Sequence, residues 1–207
     1  IKYIDDGSTL AKVGKEERIK RIPFLVMPKA DQNLREYIVS SGNRVSYEVY
    51  IAQFKGLASA LAALHGKALH RDIKPENILI KGETWFLSDL GLCKFFNHEQ
   101  QDITEEQEAI GPRYWMSPEA VNRVVGNKDE ITQRSDVYQL CSIFWFVVTG
   151  RHPSGVVKKS DWSGPQNIFE PIFQSLSHNP DQRPIDANHL LELLNDATIP
   201  KVENAVS

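Results

Sequence analysis

From Ser46 onward the apolar positions Tyr47, Ile51, Phe54, Ala58 and Leu61 recur at steps of four and three, with Leu57 and Leu64 widening the stripe. That spacing predicts an amphipathic helix that closes near Gly66. Residues 135–148 are apolar almost throughout and too many for one strand, so they predict a buried helix. Shorter apolar runs predict strands. Ile1-Lys2-Tyr3-Ile4 and Pro23-Phe24-Leu25-Val26-Met27 read as two strands joined by a long polar loop that contains Gly7 and Gly14. Asn77-Ile78-Leu79-Ile80 and Trp85-Phe86-Leu87-Ser88 read as a small hairpin turning at Gly82. Helices are expected around residues 168–176 and 187–194, the latter with Leu190, Leu191 and Leu194 on one face. Residues 94–118 carry Gly111, Pro112 and Pro118 and show no period, which predicts an irregular loop of the length that usually serves function.

Composition fits this mixed pattern. The 207 residues are 41% hydrophobic and 25% charged, with 12 Gly and 11 Pro, so the chain can bury a core and is neither disordered, collagenous nor coiled coil. Lys and Arg number 24 against 27 Asp and Glu, a net charge of −3, which provides no overall cationic field for nucleic acid or an anionic membrane. Cys93 and Cys141 stand among apolar residues and cannot build a disulfide framework, which points to a reducing compartment. The most apolar stretch, residues 140–148, is about half of the ~18 residues a spanning helix needs. The expected location is therefore cytoplasmic, with no membrane or nucleic-acid partner. The chain opens on Ile1 rather than Met, so a trimmed or partial chain is expected.

The densest chemical signal is His70-Arg71-Asp72-Ile73-Lys74-Pro75-Glu76-Asn77, placed between the long helix and the hairpin and followed beyond the hairpin by Asp89-Leu90-Gly91. A hairpin folds its ends together, so Asn77 and Asp89 can meet at one point. One carboxylate and one amide oxygen suit Mg2+, which keeps positions for phosphate oxygens. Lys74 is placed to neutralise phosphate, and Asp72 to accept a proton. Taken singly these residues would be turn or cap formers; taken together, they read as a catalytic set.

This spacing resembles the catalytic loop of the eukaryotic-type (Hanks-type) protein kinases, which reads His-Arg-Asp, then Lys two residues on, then Asn after three more. Asp89-Leu90-Gly91 resembles the family's Asp-Phe-Gly, with Leu in the middle position. Downstream, Gly111-Pro112-Arg113-Tyr114-Trp115-Met116 and Ser117-Pro118-Glu119 resemble the substrate-facing loop and its Ala-Pro-Glu; Ser135-Asp136-Val137-Tyr138 resembles the start of the central helix, and Asn179-Pro180-Asp181-Gln182-Arg183-Pro184 the late Arg motif. The resemblance implies an α+β, protein-kinase-like fold: residues 1–30 a remnant of the small lobe and hinge, 31–200 the mainly helical large lobe, 201–207 a tail. It implies ATP and Mg2+ as cofactors and a protein substrate. Asp72 would orient the substrate hydroxyl, Lys74 would contact the transferring phosphate, and Asn77 and Asp89 would hold the metal. Leu79 would floor the adenine pocket, Met27 would gate it, and the backbones of Pro28 and Ala30 would meet the base. Lys74 favours Ser/Thr over Tyr substrates. Glu119 and Arg183 would form a structural ion pair, and Glu108 would stand in for an activating phosphate opposite Arg71.

Two departures qualify the resemblance. Pro112 stands where the family's Ser/Thr kinases carry the Thr that bridges the catalytic Asp and Lys, so either another group orients Asp72 and Lys74 or phosphotransfer is weak. No Gly-x-Gly occurs in the chain, and neither the strand Lys nor its helix Glu is found. The chain is thus expected to begin after these motifs, to need the missing small-lobe segment in cis or a partner over the exposed sheet edge, and to be inactive alone. The reading is a partial Ser/Thr kinase catalytic domain. The alternative is a pseudokinase-type binding or scaffold module that lacks the small lobe. A small-molecule phosphotransferase fits the downstream motifs poorly.

Overall fold

The structure is a computed structural model that describes residues 4–13, 18–42, 45–96 and 114–199; the side chains of Val13 and Arg18 also fall outside the description. The expected strand at residues 1–3, residues 97–113 with Thr104, Glu108 and Pro112, and the tail from residue 200 lie outside these ranges. The chain divides into two compact units, Ile1–Asp31 and Gln32–Ser207.

In the first unit β1 (Asp5–Val13) pairs antiparallel with β2 (Arg18–Val26), in register from Asp5 opposite Val26 to Val13 opposite Arg18. Ile4, just ahead of β1, donates its N–H to the Val26 carbonyl at 2.6 Å. The strand expected over Pro23–Met27 falls within β2 as far as Val26. One expectation is corrected: the stretch read as a long polar loop is strand over residues 5–13 and 18–22. Its polar sequence hid it, because a two-stranded ribbon is held by the backbone ladder and leaves Leu10 and Ile19 about two-thirds exposed instead of packing an alternating face. Gly7 has a steric reason. A Cβ there would lie 2.7 Å from the Phe24 ring on the facing strand.

The second unit runs β3 (Gln32–Asn33), α1 (Leu34–Ser40), α2 (Tyr47–His65), β4 (Ala68–Leu69), β5 (Ile78–Lys81), β6 (Thr84–Leu87), β7 (Lys94–Phe95), α3 (Pro118–Val124), α4 (Gln133–Thr149), α5 (Phe169–Ser175) and α6 (Ala187–Ala197). Strands β3, β5 and β6 form one small antiparallel sheet, and β4 pairs with β7 in another. The two long helices stand where the pattern put them. Helix α2 buries Phe54, Leu57, Ala58 and Leu61 of the marked stripe, together with Tyr50, while Tyr47, Ile51 and Leu64 are half-buried. Helix α4 is buried on nearly every side, with Val137, Leu140, Cys141, Ile143 and Phe144 at 0% exposure. Phe54 stacks on Phe144 at 3.8 Å between ring centroids, joining the two helices at the centre of the core. Each such large side chain contributes about 1.5–3 kcal/mol on burial.

The pattern does not announce helices α1 and α3, whereas α5, equally short, stands where a helix is expected around residues 168–176. Helix α1 rests on a capping box. Asn33 Oδ1 accepts from the Glu36 N–H at 3.0 Å, and Glu36 Oε2 accepts from the Asn33 N–H at 3.0 Å. At its C-terminus α4 stops at Gly150, whose φ of 67° suits a residue without a side chain and whose N–H reaches the Phe146 carbonyl.

Candidate active site

The loop from His70 to Asn77 links β4 to β5, and its backbone is pinned from below by α4. Asp136, fully buried in the first turns of α4, accepts the His70 N–H on Oδ2 at 2.7 Å and the Arg71 N–H on Oδ1 at 2.9 Å. Gln139, one turn on, accepts the Ile73 N–H at 3.3 Å. His65 at the end of α2 completes the support. Its Nδ1 accepts the Ala187 N–H at 3.2 Å, so Nε2 carries the proton and donates to Asp136 Oδ2 at 3.1 Å. One carboxylate thus ties α2, α6 and the loop to α4. By the same logic His70 Nδ1 accepts the Asp72 N–H, and Nε2–H donates to the Ser88 carbonyl at 3.1 Å. Burial lowers the His70 pKa below the ordinary histidine value, against the pull of Asp136 and Ser88.

That support holds strained backbone. Arg71 and Asp89 are the non-glycine residues with positive φ among those described, at 71° and 62°. Each such conformation costs about 1–3 kcal/mol and persists where surrounding bonds over-determine it, typically at functional sites.

On this frame three of the sequence-marked side chains converge. Asp72 Oδ2 accepts from Lys74 Nζ at 2.8 Å and from Asn77 Nδ2 at 2.8 Å, while Nδ2 also donates to the Asp72 carbonyl at 2.9 Å. The second oxygen of Asp72, Oδ1, makes no hydrogen bond among the described residues. Asp72 as a residue is 5% exposed. Asn77 closes the short 3-10 turn Pro75–Asn77, and its carbonyl accepts both the N–H and the hydroxyl of Ser88, at 2.9 and 2.8 Å. These bonds seal the open end of the β5–β6 hairpin, so Asp89, next after Ser88, leaves beside Asn77. Asp89 is exposed, with Oδ1 accepting the Gly91 N–H at 3.2 Å. Leu79 is half-buried on β5, opposite Asn33 on one side and Phe86 on the other. Met27, Pro28 and Ala30 belong to the first unit, on the segment leaving β2, with Met27 49% exposed.

The donor set fits a divalent cation shared with phosphate. Both Nδ2 hydrogens of Asn77 are committed to Asp72, which leaves its amide oxygen for a cation, and Asp89 adds one exposed carboxylate. No cluster of three or more His, Cys, Asp or Glu that could hold a metal occurs among the described residues. Mg2+ is the ion that accepts so few protein oxygens, because it retains water and phosphate oxygens as its remaining ligands.

A second buried charge centre lies at the start of α3. Arg183 meets Glu119 through two parallel bonds of 2.8 and 2.9 Å. Its other N–H groups reach the carbonyls of Ser177, Arg134 and His178, so all five donors are used. Burial pushes the Glu119 pKa up, but the bonds and charge of Arg183 outweigh it and hold the carboxyl below the ordinary glutamate range.

Sequence reading missed Asp136, Gln139, His65 and Ser88 as supports of the site. Asp136 had a visible signal, an acid opening a helix that is otherwise apolar. The others are ordinary polar residues whose part depends on what folds against them.

The match to known proteins agrees with this geometry. Residues 15–198 match the family described as Protein kinase domain. The chain is 36% identical over 151 residues to the serine/threonine-protein kinase PknL of Mycobacterium tuberculosis, an alignment covering 72% of this chain and 36% of that protein. It is 28% identical over 156 residues to the probable serine/threonine-protein kinase PkwA of Thermomonospora curvata, covering 69% and 20%. With PknH of Mycobacterium bovis it shares 33% over 122 residues, covering 56% and 19%. The fold, the loop and this match together make the chain a member of the protein kinase domain family. It spans about a third or less of the length of these relatives. No helix among the described residues is long and apolar enough to cross a membrane.

Proposed function

We propose that this chain carries the catalytic lobe of a serine/threonine protein kinase, transferring the γ-phosphoryl group of ATP to a hydroxyl of a protein substrate. The observation that carries the reading is the Asp72 carboxylate, with one oxygen fixed by Lys74 and Asn77 and the other open. A substrate hydroxyl bound at Oδ1 is held in line for attack. As its oxygen forms the new bond to phosphorus and the bond to the ADP oxygen breaks, its proton passes to Asp72. Lys74, 27% exposed at its side chain, is placed to swing its ammonium from Asp72 toward the phosphoryl oxygens as negative charge spreads there. Asn77 and Asp89 would hold Mg2+, which when bound neutralises phosphate charge. Asn77 also answers the departure at Pro112: its amide, with Lys74, orients the Asp72 carboxylate without a threonine hydroxyl. The retained charges of Asp72, Lys74 and Asp89 favour this reading over a scaffold module.

The test is phosphate transfer from ATP to a generic protein substrate by the natural full-length protein, compared with its Asp72→Asn variant. Transfer to Ser or Thr that falls at least about a hundredfold in the variant, as expected for a lost general base, supports the proposal. A folded wild type with no transfer, or transfer indifferent to the substitution, overturns it.

A further inference from the structure

Residues 114–116 lead directly into Ser117-Pro118-Glu119, whose Glu119 is immobilised by Arg183. Along them exposure alternates sharply. Tyr114 is 80% exposed, Trp115 is half-buried, and Met116 is 7% exposed. Trp115 therefore turns inward while Tyr114 faces solvent. The inward ring meets two partners, Phe146 of α4 edge-on at 5.6 Å and His152 edge-on at 4.7 Å between centroids. Phe146 sits on the last turn of α4, and His152 lies two residues beyond Gly150, the residue that ends that helix.

His152 is an unusual choice for such a contact. Its Nε2 is buried and has no hydrogen-bond partner, and a buried polar atom left unsatisfied is unfavourable enough to call for an explanation. The ring thus meets the segment at Trp115.

We propose that His152 is a positioning residue for the protein substrate, holding residues 114–116 in place through Trp115; this rests on the kinase reading above. Phe146 forms the fixed wall and His152 the closing side of an aromatic clamp, and the clamp keeps Tyr114 turned outward where a substrate chain can meet it. Loss of the ring frees Trp115 and with it the contact surface, while the Asp72, Lys74 and Asn77 cluster, supported by Asp136 and Gln139, stays as it is.

The experiment uses the natural full-length protein with His152→Ala and His152→Phe, reading KM for a protein substrate and for ATP, and the indole N–H resonance of Trp115 assigned by Trp115→Phe. Expected are a five- to tenfold rise in substrate KM for His152→Ala, an ATP KM within twofold of wild type, a shifted Trp115 resonance, and recovery of both readouts by His152→Phe, which restores a ring. An unchanged substrate KM in an active enzyme, an equal rise in both KM values, or an unmoved Trp115 resonance overturns the proposal. Absence of transfer in the wild type overturns the kinase reading instead, and the Trp115 resonance still decides whether the clamp exists.

Discussion

Asp136→Asn isolates the support of the catalytic loop with a change of one atom. Asp136 Oδ1 accepts the Arg71 N–H, and Oδ2 accepts both the His70 N–H and His65 Nε2–H. Asparagine can present only one oxygen. The less costly orientation keeps the oxygen at the Oδ2 position and turns the amide NH2 toward the Arg71 N–H, donor against donor. An orphaned buried N–H costs about 1–3 kcal/mol, and the two surviving bonds fall from charged to neutral acceptor strength, a loss of about 1 kcal/mol each. The sum is about 3–5 kcal/mol. For a chain of this size that lowers Tm by roughly 10 °C, at about 2–4 °C per kcal/mol. The orphaned amide also belongs to Arg71, whose φ of 71° needs restraint. Denaturant unfolding should therefore show a reduced midpoint, and amide exchange should speed up at His70 and Arg71 more than at Leu140 in the same helix as Asp136. A destabilisation under about 1 kcal/mol, or unchanged protection at Arg71, would refute the idea that this carboxylate holds the loop.

Further outcomes follow from other buried groups. Glu119→Ala strands the Arg183 guanidinium and should cost about 3–5 kcal/mol, whereas the double variant with Arg183→Met should lose clearly less than the sum of the single changes; simple additivity in a double-mutant cycle would count against a coupled pair. Ser117→Ala should be neutral or stabilising by up to about 1 kcal/mol in thermal melts, because the Ser117 hydroxyl is fully buried without a partner and does not cap α3; a loss above about 0.5 kcal/mol would contradict this. The lowered pKa of His70 means that the unfolded chain binds the proton first, so stability should be complete above about pH 6.5 and decline as pH falls toward the folded value. His70→Gln should flatten the decline in urea unfolding between pH 7.5 and 5.5. Glu119, whose pKa is also lowered but by the bonds and charge of Arg183 acting against burial, should add a second loss only at more acidic pH, as its carboxylate is protonated below the ordinary glutamate range.

Sequence alone determined the parts of this protein whose signals are contiguous. The stripe from Tyr47 to Leu61 and the apolar run of α4 specify helices because a helix face repeats within a few residues, and the β5–β6 hairpin follows from two short runs about a glycine. The motif spacing from Asp72 to Asn77 and the resemblance it carries were legible for the same reason, as was the protein kinase fold. Helices α1 and α3 escaped, although Asn33 and Glu36 spelled out a capping box for α1, because a cap shows where a helix starts and not that one is needed. Strand β1 and the first half of β2 escaped, while Pro23–Val26 was legible as a short apolar run, because strands held by the backbone ladder alone leave no pattern in side chains. Only the tertiary structure decided what orients the site. Asp136, Gln139 and His65 reach the loop from positions far away in sequence, and the register of Asn77 with Ser88 sets where Asp89 leaves the hairpin. Such contacts depend on helix packing, and packing is fixed by the fit of a whole core around Phe54 and Phe144, which no local stretch of residues contains.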